Sequence, residues 1–226
     1  MPSQAKIPDQ VEKTRHGNSK VTREDWLRAA RDTLVTAGVG DVKILSLSTR
    51  LGVARSSFYW YFQDRADLLG ALLQDWEARN TQCIVTRCAL PADGIGQAVC
   101  NFFECFVDTR LFDPGLDFAV REWSRRDPQV RAKIDAADAT RLAAITGLFL
   151  RHAYEPHEAD ARARILYFMQ LGYHALDVSE TLEVRMGRIE GYLKGFTGEA
   201  PTAKVLAEFR ARVSDLADTA EPMIGL

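Results

Sequence analysis

The 226-residue sequence predicts an all-α protein. Three observations predict it: apolar residues recur at three- and four-residue intervals from Thr22 onward, glycine and proline punctuate those intervals, and no run alternates apolar with polar residues as a half-buried strand would. The expected architecture is a three-helix domain containing a helix-turn-helix, followed by a larger helical domain, with about nine or ten helices in all.

Residues 1–20 are polar, contain Pro2, Pro8 and Gly17, and show no apolar period, so a flexible tail is expected there. It is either a solvated tail or, through Lys6, Lys13, Arg15 and Lys20, a basic arm. A first helix follows from Thr22, with Trp26, Ala30 and Leu34 four apart, Asp25 completing a capping-box-like start and Gly38 a stop. A short second helix is expected around Ile44–Leu51, ended by Gly52, and a third can begin three residues later. Asp64 caps a long fourth helix carrying Leu69, Leu72, Leu73 and Trp76 and ending before Pro91. Further helical segments are expected over Gly96–Arg110, Leu116–Arg125, Pro128–Ala153, Pro156–Val178 and Thr181–Phe196. Asp127-Pro128 and Glu155-Pro156 place prolines where a first helical turn has no use for the missing N–H. The resulting division is a tail at 1–20, a helix-turn-helix unit at 21–65, a larger helical unit at 66–200, and a carboxy-terminal tail at 201–226 with the pattern of one more amphipathic helix.

Composition narrows the function classes. The longest stretch without a charged residue, Ile165–Leu176, is too short to cross a bilayer, and the start of the chain lacks a signal-peptide core, so a cytoplasmic protein with no membrane partner is expected. Residues 1–65 hold eleven Lys and Arg against seven Asp and Glu, whereas the remainder holds eighteen against twenty-four. A basic end joined to an acidic body suits a small phosphate-contacting module on a domain with another task. Cys83, Cys88, Cys100 and Cys105 are spaced unlike a zinc site; they read as packed thiols, with a thiol-based redox sensor as the alternative. His16, His152, His157 and His174 have no metal-ligand spacing, and there is no phosphate loop or nucleophile elbow. No enzyme, metal or cofactor is therefore expected.

Residues 51–62, LGVARSSFYWYF, combine a glycine turn, a branched apolar residue, a hydroxyl- and arginine-bearing helix start and a run of aromatics. A helix entering the major groove amino end first needs small, hydrogen-bonding side chains there, which Arg55, Ser56 and Ser57 supply. Arg55 has the planar fork that matches guanine. Tyr59, Trp60 and Tyr61 suit phosphate contacts from an aromatic stem, while Phe58 and Phe62 are expected to close the core. Across residues 22–73 the chain resembles the DNA-binding domain of the TetR family, with Gly38, Leu47, Gly52, Val53, Tyr59, Tyr61, Phe62, Arg65, Leu68 and Leu69 at the matching positions. It departs from that pattern at Lys43 and Ala54, where a threonine and a serine normally cap the second and third helices, and at Ser48 and Ala66. The resemblance implies that Arg65 touches phosphate, and Lys43 gains the option of doing the same.

The resemblance further implies a repressor that binds palindromic double-stranded operator DNA as a homodimer and is released by a small effector. Candidate ligand-pocket residues are Phe102, Phe103, Phe106, Phe118, Trp123, Phe149, Tyr167, Tyr173 and His174, whose aromatic character points to a hydrophobic or planar effector. His174 would either hydrogen-bond such a ligand or be satisfied by a neighbour. Candidate dimer residues are Phe168, Leu171, Gly172, Ala175, Met186, Ile189, Tyr192 and Leu193. Residues 121–126 read as a solvated turn anchored by Trp123. The rival from another class is a helical adaptor that has lost DNA binding, which the missing caps at Lys43 and Ala54 would motivate.

Overall fold

The structure is a computed structural model that describes residues 21–176, 178 and 180–219; the tail and basic arm expected over 1–20 lie outside that range. Among the described residues there are helices and turns and no strand. The first helix, α1 (Arg23–Ala37), starts on a full capping box between Thr22 and Asp25 and stops at Gly38, whose φ of +82° suits glycine. A short 3-10 turn (Val39–Asp41) leads to α2 (Ile44–Arg50), which ends before Gly52 at φ +67°. The third helix expected there is instead a six-residue 3-10 helix, Arg55–Trp60. Ala54 has no capping oxygen, and both the backbone N–H and the hydroxyl of Ser57 donate to the Ala54 carbonyl, at 2.9 and 2.8 Å, which winds the start tightly.

Next comes one long rod built from α3 (Arg65–Trp76), a wide π turn (Glu77–Thr81) and α4 (Gln82–Cys88). The remaining helices are α5 (Ile95–Val107), α6 (Pro114–Ser124), α7 (Pro128–Arg151), α8 (Pro156–Ala175), α9 (Leu182–Gly187), α10 (Ile189–Thr197) and α11 (Ala203–Thr219). Proline opens α6, α7 and α8 in the first turn, and Asp127 caps α7 by accepting from the N–H groups of Gln129 and Val130. The segment expected as one helix over Thr181–Phe196 breaks at Arg188 into α9 and α10. Beyond residue 201 the amphipathic pattern does form a helix, α11.

Two apolar cores result. The first gathers Trp26, Leu34, Leu47, Phe58, Phe62, Leu68, Leu72 and Trp76 and extends to Leu116 and Val120 of α6 and Val130 and Ile134 of α7. The second is built from Ile84, Val99, Phe102, Leu148, Phe149, Leu166, Leu193 and Phe209. Beside the first core lies a buried polar clasp. Asp117 accepts from Trp76 Nε1 at 2.8 Å, Arg141 Nη2 at 2.9 Å and Arg121 Nε at 2.9 Å. Arg141, fully buried, also donates to Thr81 Oγ1 and to the Tyr167 hydroxyl. Arg121 forks onto Asp138 at 2.9 and 2.6 Å. The reading of residues 121–126 as a solvated turn is thereby corrected, because α6 runs to Ser124 and turns Arg121 inward onto two carboxylates.

Burial would raise the pKa of Asp117, but the adjacent Arg141 and Arg121 outweigh it and bring the pKa to about 2. Because this native value lies below that of the unfolded chain, the group stabilises the fold above about pH 4, and that stability is lost as pH falls toward 2. Asp117→Asn keeps the shape but leaves Arg141 a buried charge without compensation, at a cost of about 3–5 kcal/mol. Urea unfolding checks this: the variant should also lose the steep acid limb of the wild type, and a penalty under about 1 kcal/mol would show the clasp to be dispensable.

Candidate nucleic-acid interface and interior cavities

The 3-10 helix Arg55–Trp60 is pinned from below and bare above. Phe58 is completely buried, edge-on to Trp26 at 5.2 Å and stacked with Phe62 at 5.4 Å. On the outer side Arg55, Ser56, Tyr59 and Trp60 are exposed, Trp60 at 84%. With Tyr59 also exposed, this face presents two open aromatic side chains next to each other. Arg55 Nη2 lies 3.3 Å from the Tyr59 hydroxyl, so the fork and the phenol stand side by side. Lys43 sits at the exposed start of α2, 3.1 Å from Asp41.

Three expected contact residues are turned to other work. Tyr61 donates its hydroxyl proton to the Val21 carbonyl at 2.7 Å, which ties the start of α1 down. The Arg65 guanidinium donates to the Val42 and Val39 carbonyls at 2.6 and 2.5 Å, so it clamps the turn before α2. Ser57 is half-buried and bonds inward to Ala54. Each of these side chains is half-buried and bonded to the domain's own backbone. One exposed residue went unnoticed in sequence: Leu45, 66% exposed on α2, is apolar and out of phase with Leu47 and Leu51.

The aromatic pocket candidates separate into three places. Phe103, Phe106 and Tyr173 line a cavity of about 420 Å³ between α5, α8, α9, α10 and α11. Phe118, Trp123, Tyr173 and His174 line a more open cleft of about 960 Å³ between the end of α1 and helices α6 and α8. Phe102 and Phe149 are sealed in the second core, and Tyr167 donates to Asp138 at 2.6 Å in the clasp, so these three are corrected to structural residues. His174 packs between Phe106 and Phe112 and accepts from Gln170 Nε2 at 3.0 Å; burial lowers its pKa and keeps the ring neutral.

The dimer candidates divide as well. Ile189 and Leu193 are buried in the chain's own core, and Met186 and Tyr192 line the cavity of about 420 Å³, because α10 packs inward on α5 and α8. These four are corrected to interior positions. On α8, Phe168 and Ala175 are exposed and Leu171 and Gly172 half-buried. Ile165 and Leu176, both exposed, extend that apolar surface along the helix.

Cys88 and Cys100 are buried, which pushes each thiol up to about 12. Cys105 is also buried, and its hydrogen bond to Cys83 raises it further. Cys83 alone is half-exposed, and that hydrogen bond, with Arg141 and Arg87 nearby, lowers its pKa. An aromatic disulfide reagent at neutral pH should therefore titrate one thiol quickly and three slowly, and Cys83→Ser should remove the fast phase; two or more fast thiols would show that the second core opens.

Residues 27–72 match the model of bacterial regulatory proteins of the tetR family. A search of curated protein sequences finds no match. Among solved structures, Mycobacterium smegmatis AmtR is similar with a TM-score of 0.56 at 18% identity, over 90% of this chain and 98% of that one. The fatty acid degradation regulator FadR from Bacillus halodurans is similar with a TM-score of 0.56 at 16% identity, over 78% and 94%. A TetR-family transcriptional regulator from Mesorhizobium loti matches with a TM-score of 0.53 at 15% identity, over 84% and 95%. Residues 27–72, which hold the recognition segment outward on a small three-helix core, thus match the model of tetR-family bacterial regulatory proteins, and the chain along its body shares the fold of these solved structures.

Proposed function

We propose that this protein is a ligand-responsive transcriptional repressor that binds a palindromic operator as a homodimer and leaves it when a small apolar molecule enters the cavity between α5, α8 and α10. The observation that carries the reading is the bare face of the recognition segment, where Arg55, Ser56, Tyr59 and Trp60 project together from a closed core. Arg55 is assigned to guanine, and Tyr59, Trp60 and Lys43 to the sugar-phosphate backbone.

A single segment of this size reads few base pairs, so two copies about 34–36 Å apart on one face of the duplex are required. The apolar surface on α8 formed by Ile165, Phe168, Gly172, Ala175 and Leu176 supports the pairing, since such a stripe is costly to leave in water. Release follows from coupling. The clasp fastens the rod to α6, α7 and α8, and α8 also walls the cavity, so a ligand that prefers a shifted α8 moves the rod and changes the separation of the two recognition segments.

Gel shift on an operator selected from random DNA tests the reading. Trp60→Ala should weaken binding across sequences with no loss of melting temperature, and Arg55→Ala should cost about 1–3 kcal/mol and relax preference at one base position. Phe168→Lys should give a monomer that no longer shifts the full site. Absence of any selected sequence, with an intact fold, would favour the adaptor reading.

A further inference from the structure

We infer that the cavity between α5, α8 and α10 is built for a neutral ligand carrying a hydrogen-bond donor, and that Gln170 is the residue that reads that donor. The inference rests on the cavity being the effector site proposed above, and adds the chemistry of the occupant. Gln170 is only 1% exposed and lines the cavity, and its Nε2 is engaged with His174 at 3.0 Å. That leaves its Oε1 buried with no partner. Glu180, on the same wall, gives Oε1 to Arg188 at 2.5 Å and keeps Oε2 buried and unpartnered. A buried acceptor without a donor is costly, and structures rarely tolerate it unless a further group completes the site.

The lining narrows the rest. Phe103, Phe106, Met169, Ile189 and Phe209 give an apolar, partly aromatic chamber suited to a planar body. Two charged groups line it: the Glu180 carboxylate, held by Arg188, and Arg185, whose guanidinium lies over the Tyr173 ring at 5.3 Å. A ligand carboxylate would meet Glu180 and the free Gln170 oxygen, and an ammonium would meet Arg185. A hydroxyl or N–H on an apolar frame supplies the one donor that the Gln170 oxygen lacks, at no charge cost.

Four naphthalene probes with one frame and different head groups test this on the full-length protein, by calorimetry and by thermal shift: 2-naphthol, 2-methoxynaphthalene, 2-naphthoate and 2-naphthylmethylammonium. Naphthol is expected to bind at least about tenfold tighter than its methyl ether and both ions. Gln170→Leu should erase that preference while leaving the ether's affinity within about twofold, and Gln170→Met, which keeps the length of the side chain, should do the same if the leucine variant fails to fold. Tightest binding of naphthoate would assign selectivity to Arg185, and of the ammonium to Glu180; equal binding of naphthol and ether, a preference unchanged in both Gln170 variants, or no binding by any probe would each overturn the inference. Operator release is read separately by gel shift: a probe that binds with the expected preference and leaves the DNA complex intact preserves the inference and sinks the proposed mechanism of release.

Discussion

The carboxylate of Asp117 is the constraint on which the arrangement of this molecule depends. It is buried, and it is met by an indole N–H from the rod and by two guanidinium groups, one from its own helix and one from α7. Two aspartates and two arginines, with the Tyr167 hydroxyl among them, sum to no charge, so the group tolerates low dielectric as a unit and not as parts. Apolar packing is forgiving about register, whereas a shared carboxylate is satisfied in one geometry. That directional demand fixes how α6, α7 and α8 sit against the rod, and with them the angle at which the small amino-terminal core is presented.

Much of the fold was legible in the sequence because helices here are short-range objects. The cap at Thr22, the glycine stop after α1 and the prolines opening α7 and α8 each act within four residues, and the expected boundaries fall close to the observed ones. The conformation of Arg55–Trp60 was not legible: with Ala54 in place of a capping side chain, the winding depends on how Ser57 spends its hydroxyl, which composition does not dictate. The clasp was equally hidden, since apart from the Arg121–Asp117 pair its partners lie 17 to 60 positions apart. An arginine-rich stretch looks alike whether it meets water or a carboxylate contributed by a distant helix.

The functional residues show the same division. Exposure of Arg55, Tyr59 and Trp60 followed from the pattern, because Phe58 and Phe62 had to point the other way. For Arg65 and Tyr61 the pattern did not show the intramolecular demand on a basic or phenolic side chain, which backbone carbonyls at Val42, Val39 and Val21 make here. Among the nine aromatic pocket candidates, periodicity could not distinguish cavity wall from solid core. What distinguishes them is whether a neighbouring helix closes over them, as happens at Phe102 and Phe149 and not at Phe103 and Phe106.

The wide turn at Glu77–Thr81 has a geometric consequence for the rod as a whole. Leu68, Leu72, Trp76, Asn80, Ile84 and Cys88 follow one another at intervals of four and are all buried. In an unbroken α-helix each such interval overshoots a full revolution by about 40°, so the last of the six would have swung to the far side from the first. Accommodating an additional residue in the middle takes back about 100° of that drift. The two apolar cores thereby rest on flanks about 100° apart and not on opposite sides of the same rod, and any twist applied to one half is felt as a twist of the other.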